Sequence, residues 1–191
     1  MGNNSGRKMN KQQQGKTAKR NGKAFEKKLE DIFAMYKEKL LCNIEKTPEP
    51  YRYIKPYTNG GGGLFVATFS KSAQPDFKGT LSGGRAVVLE AKSVHNDRFN
   101  LAMLTDTELK ELIIHSTLGA ISGVLVYSQA NGNIYFFPCS FIENMQAITG
   151  YKHIKLETAE AFTVNETTLI TKITTLGKIT ASQCKLLLNN A

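Results

Sequence analysis

The chain has 191 residues, 41% apolar and 21% charged, which suits one globular domain with its own core and excludes a disordered chain. Its formal net charge is +9, and the excess is local: residues 1–23 carry seven basic side chains and no acid, whereas the remaining 168 (191 less 23) carry 18 basic residues (25 less 7) against 16 acidic. Cys42, Cys139 and Cys184 are too dispersed for a disulfide framework or a zinc site, and with no apolar leader and no run of about 18 apolar residues, neither secretion nor membrane spanning is expected; a reduced cytoplasm is.

Residues 1–20 are polar and include Gln12-Gln13-Gln14. They offer too little apolar surface to offset ordering, so they are expected to be a disordered arm without a partner. Its basic side chains, Arg7, Lys8, Lys11, Lys16, Lys19 and Arg20, with Lys23 just beyond, suit a phosphate backbone or an anionic membrane surface. A solubilising tail is the alternative. From Asn21 to Leu41 the pattern changes: Phe25, Leu29, Ile32, Phe33, Tyr36 and Leu40 recur at helical spacing, which predicts an amphipathic helix. Glu26 borders that stripe, and periodicity alone reads it as a solvated charge.

Cys42 to Lys46 predicts a short strand ended by Pro48-Glu49-Pro50. Tyr51 to Ile54 and Leu64 to Phe69 predict two extended arms. Pro56 and Gly60-Gly61-Gly62-Gly63 lie between them and form a flexible tip.

Next comes the most informative stretch, Gln74 to Lys92. Asp76 follows Pro75, a Gly83-Gly84 turn intervenes, and Val87-Val88-Leu89 leads into Glu90-Ala91-Lys92. The apolar run predicts a buried strand. Side chains alternate along a strand, so Glu90 and Lys92 share a face. With Asp76 on the neighbouring strand, two carboxylates would meet at one end of the sheet and suit Mg²⁺. A lysine beside that ion could orient or deprotonate a water. The plain alternative is a hairpin whose charged end faces water.

Ser93 to Asn100 reads as a loop. Thr105-Asp106-Thr107-Glu108 has the spacing of a capping box, followed by a helix that stops before Gly119. Ile121 to Tyr127 and Ile134 to Phe137 predict a hairpin turning at Asn131-Gly132. Ser140 and Glu143 have the spacing of a second capping box, opening a helix to about Ile148. Thr180 to Leu188 predicts a last short helix. His95, His115 and His153 form no ligand spacing and read as structural or surface residues. The order of elements predicts an α/β fold, a mixed sheet flanked by helices.

Several of these pieces, in this order, resemble the RecU-type Holliday-junction resolvases of the PD-(D/E)xK nuclease superfamily. The resemblance runs from about Arg20 to Phe141. Its carriers are Gly22-Lys23-Ala24-Phe25-Glu26 in the first helix, Lys46-Thr47-Pro48-Glu49-Pro50, Pro75-Asp76-Phe77-Lys78-Gly79 and Leu89-Glu90-Ala91-Lys92. The resemblance implies a restriction-endonuclease-like α/β fold, with 21–191 as a single nuclease domain and a projecting β stalk at about 51–69. It further implies a homodimer that cuts four-way DNA junctions symmetrically with Mg²⁺ or Mn²⁺. Asp76, Glu90 and the Ala91 carbonyl would hold the metal, and Lys92 would position the attacking water. Glu26, matching the family's helix acid, joins the catalytic set. Two departures stand out: Glu108 occupies a position where the family commonly has glutamine, and the four-glycine tip is unlike a basic stalk. Two other readings keep the same scaffold, a nuclease acting on flaps or duplex and a non-cutting DNA-binding regulator of a recombinase.

Overall fold

A stripe of apolar side chains draws the first helix onto a sheet. The computed structural model describes residues 11–57, 64–69 and 74–189; Arg7, Lys8 and the Gly60–Gly63 tip lie outside them. Helix α1 (Lys11–Glu38) buries Phe25, Leu29, Ile32, Phe33 and Tyr36. Each such side chain contributes roughly 1.5–3 kcal/mol. The helix starts ten residues before Asn21, so residues 11–20 are helical and not a disordered arm. The physical reason is composition: Lys, Gln, Ala and Arg are strong helix formers even without an apolar stripe, and they extend a helix already nucleated by packing.

The helix ends short of Leu40, which does not join the buried stripe. Leu40 has φ 56° and is 85% exposed. Its N–H donates to the Lys37 carbonyl at 2.9 Å, and the Leu41 N–H donates to the Tyr36 carbonyl at 3.1 Å. These two bonds form a Schellman cap, a motif that favours glycine at the left-handed position. Leu40→Gly is therefore expected to stabilise the fold by about 1 kcal/mol, read as a higher urea midpoint with an unchanged slope. A lower midpoint would contradict this account of the helix end.

The chain then runs through β1 (Cys42–Lys46), β2 (Tyr51–Pro56), β3 (Phe65–Phe69), β4 (Phe77–Leu81) and β5 (Ala86–Val94). A short β6 (Arg98–Asn100) precedes α2 (Asp106–Thr117), and β7 (Ile121–Ser128) and β8 (Ile134–Pro138) form the expected hairpin. Then follow α3 (Cys139–Thr149), β9 (His153–Lys155), β10 (Thr163–Val164), α4 (Leu169–Leu176) and α5 (Ala181–Asn189). Six strands form one mixed sheet in the order β1-β4-β5-β7-β8-β10. Only β5 and β7 run parallel, joined by a crossover that contains α2; the other pairs are antiparallel. β2 and β3 pair apart from this sheet as a two-stranded ribbon, and all six residues of β2 are exposed.

Helix α1 lies on one face of the sheet. Phe25 stacks on Tyr127 of β7, and Phe33 meets Phe77 of β4 edge-on, both with ring centroids 5.4 Å apart. The opposite face of β7 carries Ser122, whose hydroxyl donates to the Leu112 carbonyl of α2 at 2.8 Å. Gly79, in the middle of β4, has a packing reason: a Cβ there would lie 2.0 Å from the Asn43 carbonyl oxygen of β1. Gly83 and Gly84 take φ near +88° and +84° in the β4–β5 turn, as glycine readily does.

Three local expectations need correction. The segment 93–100 is not a plain loop, because its ends join β5 and β6, and β6 pairs with β9. Ser140 and Glu143 make no capping box: α3 begins at Cys139 with Pro138 as its cap. The Ser140 hydroxyl instead donates to the Ile179 carbonyl at 2.8 Å and ties α3 to the segment before α5. The helix α4, with four buried apolar side chains, is an addition to the predicted elements. His95 is exposed, as expected of a surface residue, and lines the cleft described below. All three cysteines are buried and free. Among the described residues, no helix is long and apolar enough to cross a membrane.

Candidate active site

The end of β5 outruns its neighbour. Strand β4 pairs with β5 only as far as Phe77 opposite Leu89, and continuing that register sets Asp76 opposite Glu90. Asp76 is anchored through its own backbone, whose carbonyl accepts the Thr47 N–H at 2.8 Å. Its Oδ2 accepts the Ala91 N–H at 2.8 Å. A side chain thus replaces the ladder bond that β4 no longer supplies. In an extended strand the N–H and C=O of one residue point to the same side, so the Ala91 carbonyl also faces Asp76.

Glu90 and Lys92 lie on one face, as alternation predicts. The Lys92 Nζ donates to Glu90 Oε1 at 2.8 Å and to Glu108 Oε1 at 3.1 Å. Glu108 also completes the expected capping box. Its Oε2 accepts the Thr105 N–H at 2.8 Å, and its own N–H donates to the Thr105 hydroxyl at 3.2 Å. One carboxylate therefore starts α2 and holds the lysine. Sequence spacing identifies the cap, but not that the cap's second oxygen would reach Lys92.

The charges in this cluster do not balance. Glu90 is only 3% exposed, and its Oε2 is buried with no hydrogen-bond partner. Burial, then the nearby Asp76 carboxylate, pushes the Glu90 carboxyl up to about 8. Burial also raises Asp76, against the pull of the Ala91 N–H. Burial works against the Lys92 ammonium, yet the Glu90 and Glu108 carboxylates outweigh it and raise its pKa. Burial likewise works against the Glu108 carboxylate, but the Thr105 N–H and Lys92 outweigh it and lower its pKa. Fully ionised, three carboxylates (Asp76, Glu90, Glu108) and one ammonium (Lys92) sum to −2. Uncompensated buried charge is costly. A divalent cation between Asp76 and Glu90 would balance this cluster and satisfy the orphaned oxygen. Asp76, Glu90 and the Ala91 carbonyl are hard oxygen donors of the right kind. They are two carboxylates and a carbonyl; among the described residues, no three His, Cys, Asp or Glu side chains gather as a ligand cluster.

Glu26 of α1 is hydrogen-bonded outside this group. Its Oε2 pairs with Lys46 at 2.7 Å, and Lys46 also lies 3.8 Å from Glu30. The Glu26 charge still bears on Asp76 and helps raise it. Lys46 is therefore a further member of the neighbourhood; its only mark in the sequence is its place beside Thr47-Pro48. Of the basic residues, Lys16, Lys19, Arg20 and Lys23 are exposed along α1, and Lys11 is its first residue.

A family model described as recombination protein U matches residues 20–180 of the chain. No curated protein matches it significantly. Among solved structures, it is similar to that of Archaeoglobus fulgidus Hjc, a Holliday junction resolvase from an archaeal hyperthermophile. The identity is 16% and the TM-score 0.48, over 78% of this chain and 98% of that one.

Proposed function

The chain belongs to the recombination protein U family, and from that premise we propose that it is a metal-dependent endonuclease that resolves four-way DNA junctions. The observation that carries this reading is the half-buried Asp76 beside the buried Glu90, whose Oε2 has no hydrogen-bond partner, with a lysine held next to them. Asp76, Glu90 and the Ala91 carbonyl would hold Mg²⁺ or Mn²⁺. When bound, such an ion supplies Lewis-acid stabilisation of the charge that develops on the phosphate.

The chain's own groups do the rest. An ammonium has three donors, and Lys92 directs two of them to Glu90 and Glu108. The third can point a water at phosphorus or hold a phosphate oxygen. Held between two carboxylates, Lys92 keeps its proton, so its role is to position and to offset charge, not to act as a base. Glu26 is a further acid at the margin, screened by Lys46. Two such sites in a homodimer suit paired nicks across a two-fold junction. The β2–β3 ribbon is the stalk that meets the branch point.

The test is purified protein with Mg²⁺, offered a four-way junction, a flap and linear duplex. Symmetric nicks confined to the junction are expected. Cleavage of all three would make it a less selective nuclease, and no cleavage would leave a DNA-binding protein. The basic residues Arg7, Lys8, Lys11, Lys16, Lys19, Arg20 and Lys23 are proposed to bind phosphates without reading sequence. Deleting residues 1–19 is expected to weaken junction binding and flatten its salt dependence. An unchanged salt slope would show that this segment takes no part.

A further inference from the structure

Immediately beyond Lys92 the same strand enters a cleft of about 540 Å³, lined by Ser93–Asn96, Arg98, Met103, Gln129 and, across from them, Thr17, Ala18 and Asn21 of α1. A fixed chain of polar side chains crosses it. Asn21 Nδ2 donates to Gln129 Oε1 at 2.9 Å, and Gln129 Nε2 donates to Ser93 Oγ at 2.9 Å. The His95 Nδ1 lies 3.4 Å from the same Gln129 Oε1. Gln129 thus locks α1, β5 and the end of β7 together, and the cleft wall is preorganised.

The charge of the lining changes along β5. The active site is acidic, and acids repel a phosphodiester. Among the described residues, no acidic side chain lines the cleft, whereas Arg98 does and is exposed. Asp97, between Asn96 and Arg98, does not line the cleft; it is half-buried, and its Oδ1 is buried with no hydrogen-bond partner. The exposed Lys16, Lys19 and Arg20 flank the cleft's α1 wall. A polyanionic strand that crossed the acids at Asp76 and Glu90 would gain attraction at a neighbouring cation, and Arg98 in this cleft supplies one.

We propose that the cleft is a nucleotide subsite: it holds the nucleotide next to the scissile phosphate, with Arg98 on that nucleotide's phosphate and the Asn21–Gln129–Ser93 chain against its sugar and base. The inference rests on the nuclease reading for its location along the strand. It assigns the cleft to substrate positioning, separate from the groups that would hold metal.

The test is fluorescence anisotropy with labelled oligothymidylate and with a four-way junction, using the full chain in EDTA so that cutting plays no part. Arg98→Ala is expected to weaken binding roughly tenfold, in line with losing a charge-assisted bond. It should also lower the slope of log affinity against log salt by about 0.7–0.9, the worth of one phosphate contact. Gln129→Ala should weaken binding while leaving that slope unchanged, since it removes no charge. Lys185→Ala, at an exposed position of α5, is the control and should bind as the parent does. Arg98 is exposed, so its substitution does not threaten folding. Wild-type affinity and slope for Arg98→Ala would overturn the proposal, as would failure of the parent chain to bind the oligonucleotide. Loss of the nuclease reading is distinguishable: a parent chain that cuts no DNA in Mg²⁺ but still shows the Arg98 effect keeps the cleft and discards the cleavage.

Discussion

Asp76→Asn is expected to lower cleavage of a four-way junction by about three orders of magnitude, while junction binding changes little. Asparagine keeps an oxygen that can accept the Ala91 N–H, the bond that Asp76 makes at 2.8 Å, so the local fold survives. It removes one of the two carboxylates whose charge the cluster leaves unbalanced. Single-turnover cleavage and anisotropy on the same protein separate the two effects. Cleavage at the parent rate would remove Asp76 from the chemistry, and a parallel loss of binding would make its role structural.

Glu90→Gln has a second and less intuitive consequence. It should abolish cleavage and at the same time stabilise the protein in the absence of metal. The Glu90 carboxyl is raised to about 8 in the fold, from an ordinary value near 4.5. Between those two values the folded state keeps a proton that the unfolded chain releases. Stability then falls as pH rises through that window. Asp76, also raised, adds to the slope in the same direction. Glu108, which is lowered, acts below the window, where its contribution is lost on acidification. Lys92, raised above 10.5, stays charged throughout it. Thermal melts in EDTA from pH 5 to pH 8 should therefore slope downward for the parent and much less for Glu90→Gln. The gap at pH 8 is on the order of a few kcal/mol, and Mg²⁺ should close it by stabilising the parent alone. Parallel melting curves for the two proteins would show that Glu90 is not under electrostatic stress.

The parts of this site that were legible in sequence are those set by short-range rules. The apolar run Val87-Val88-Leu89 marks a buried strand, and alternation alone puts Glu90 and Lys92 together. Thr105 and Glu108 are a local cap, and Asn131-Gly132 a local turn. What escaped depends on contacts distant in sequence. The α4 segment, Leu169 to Leu176, is rich in β-branched residues with weak helix propensity; burial of Leu169, Ile170, Ile173 and Leu176 against the rest of the fold decides it. The extension of α1 through residues 11–20 carries no apolar stripe, so periodicity cannot detect it. Ser140 looks like a cap but finds a better partner in the Ile179 carbonyl, 39 positions away. Lys46 reaches Glu26 across two elements, and Gln129 meets Asn21 across 108 positions. The motifs thus name the acids and the lysine, while the neighbours that tune and flank them are visible only in three dimensions.

Cleavage by this protein is expected to require a divalent cation seated between Asp76 and Glu90. A crystal of the parent protein grown with Mn²⁺, measured at a wavelength where manganese scatters anomalously, locates such an ion without reference to activity. The expected result is an anomalous peak within coordinating distance of Asp76, Glu90 and the Ala91 carbonyl, about 2.0–2.6 Å from each oxygen. A fully occupied peak elsewhere, or none at that position with manganese in excess, would contradict it.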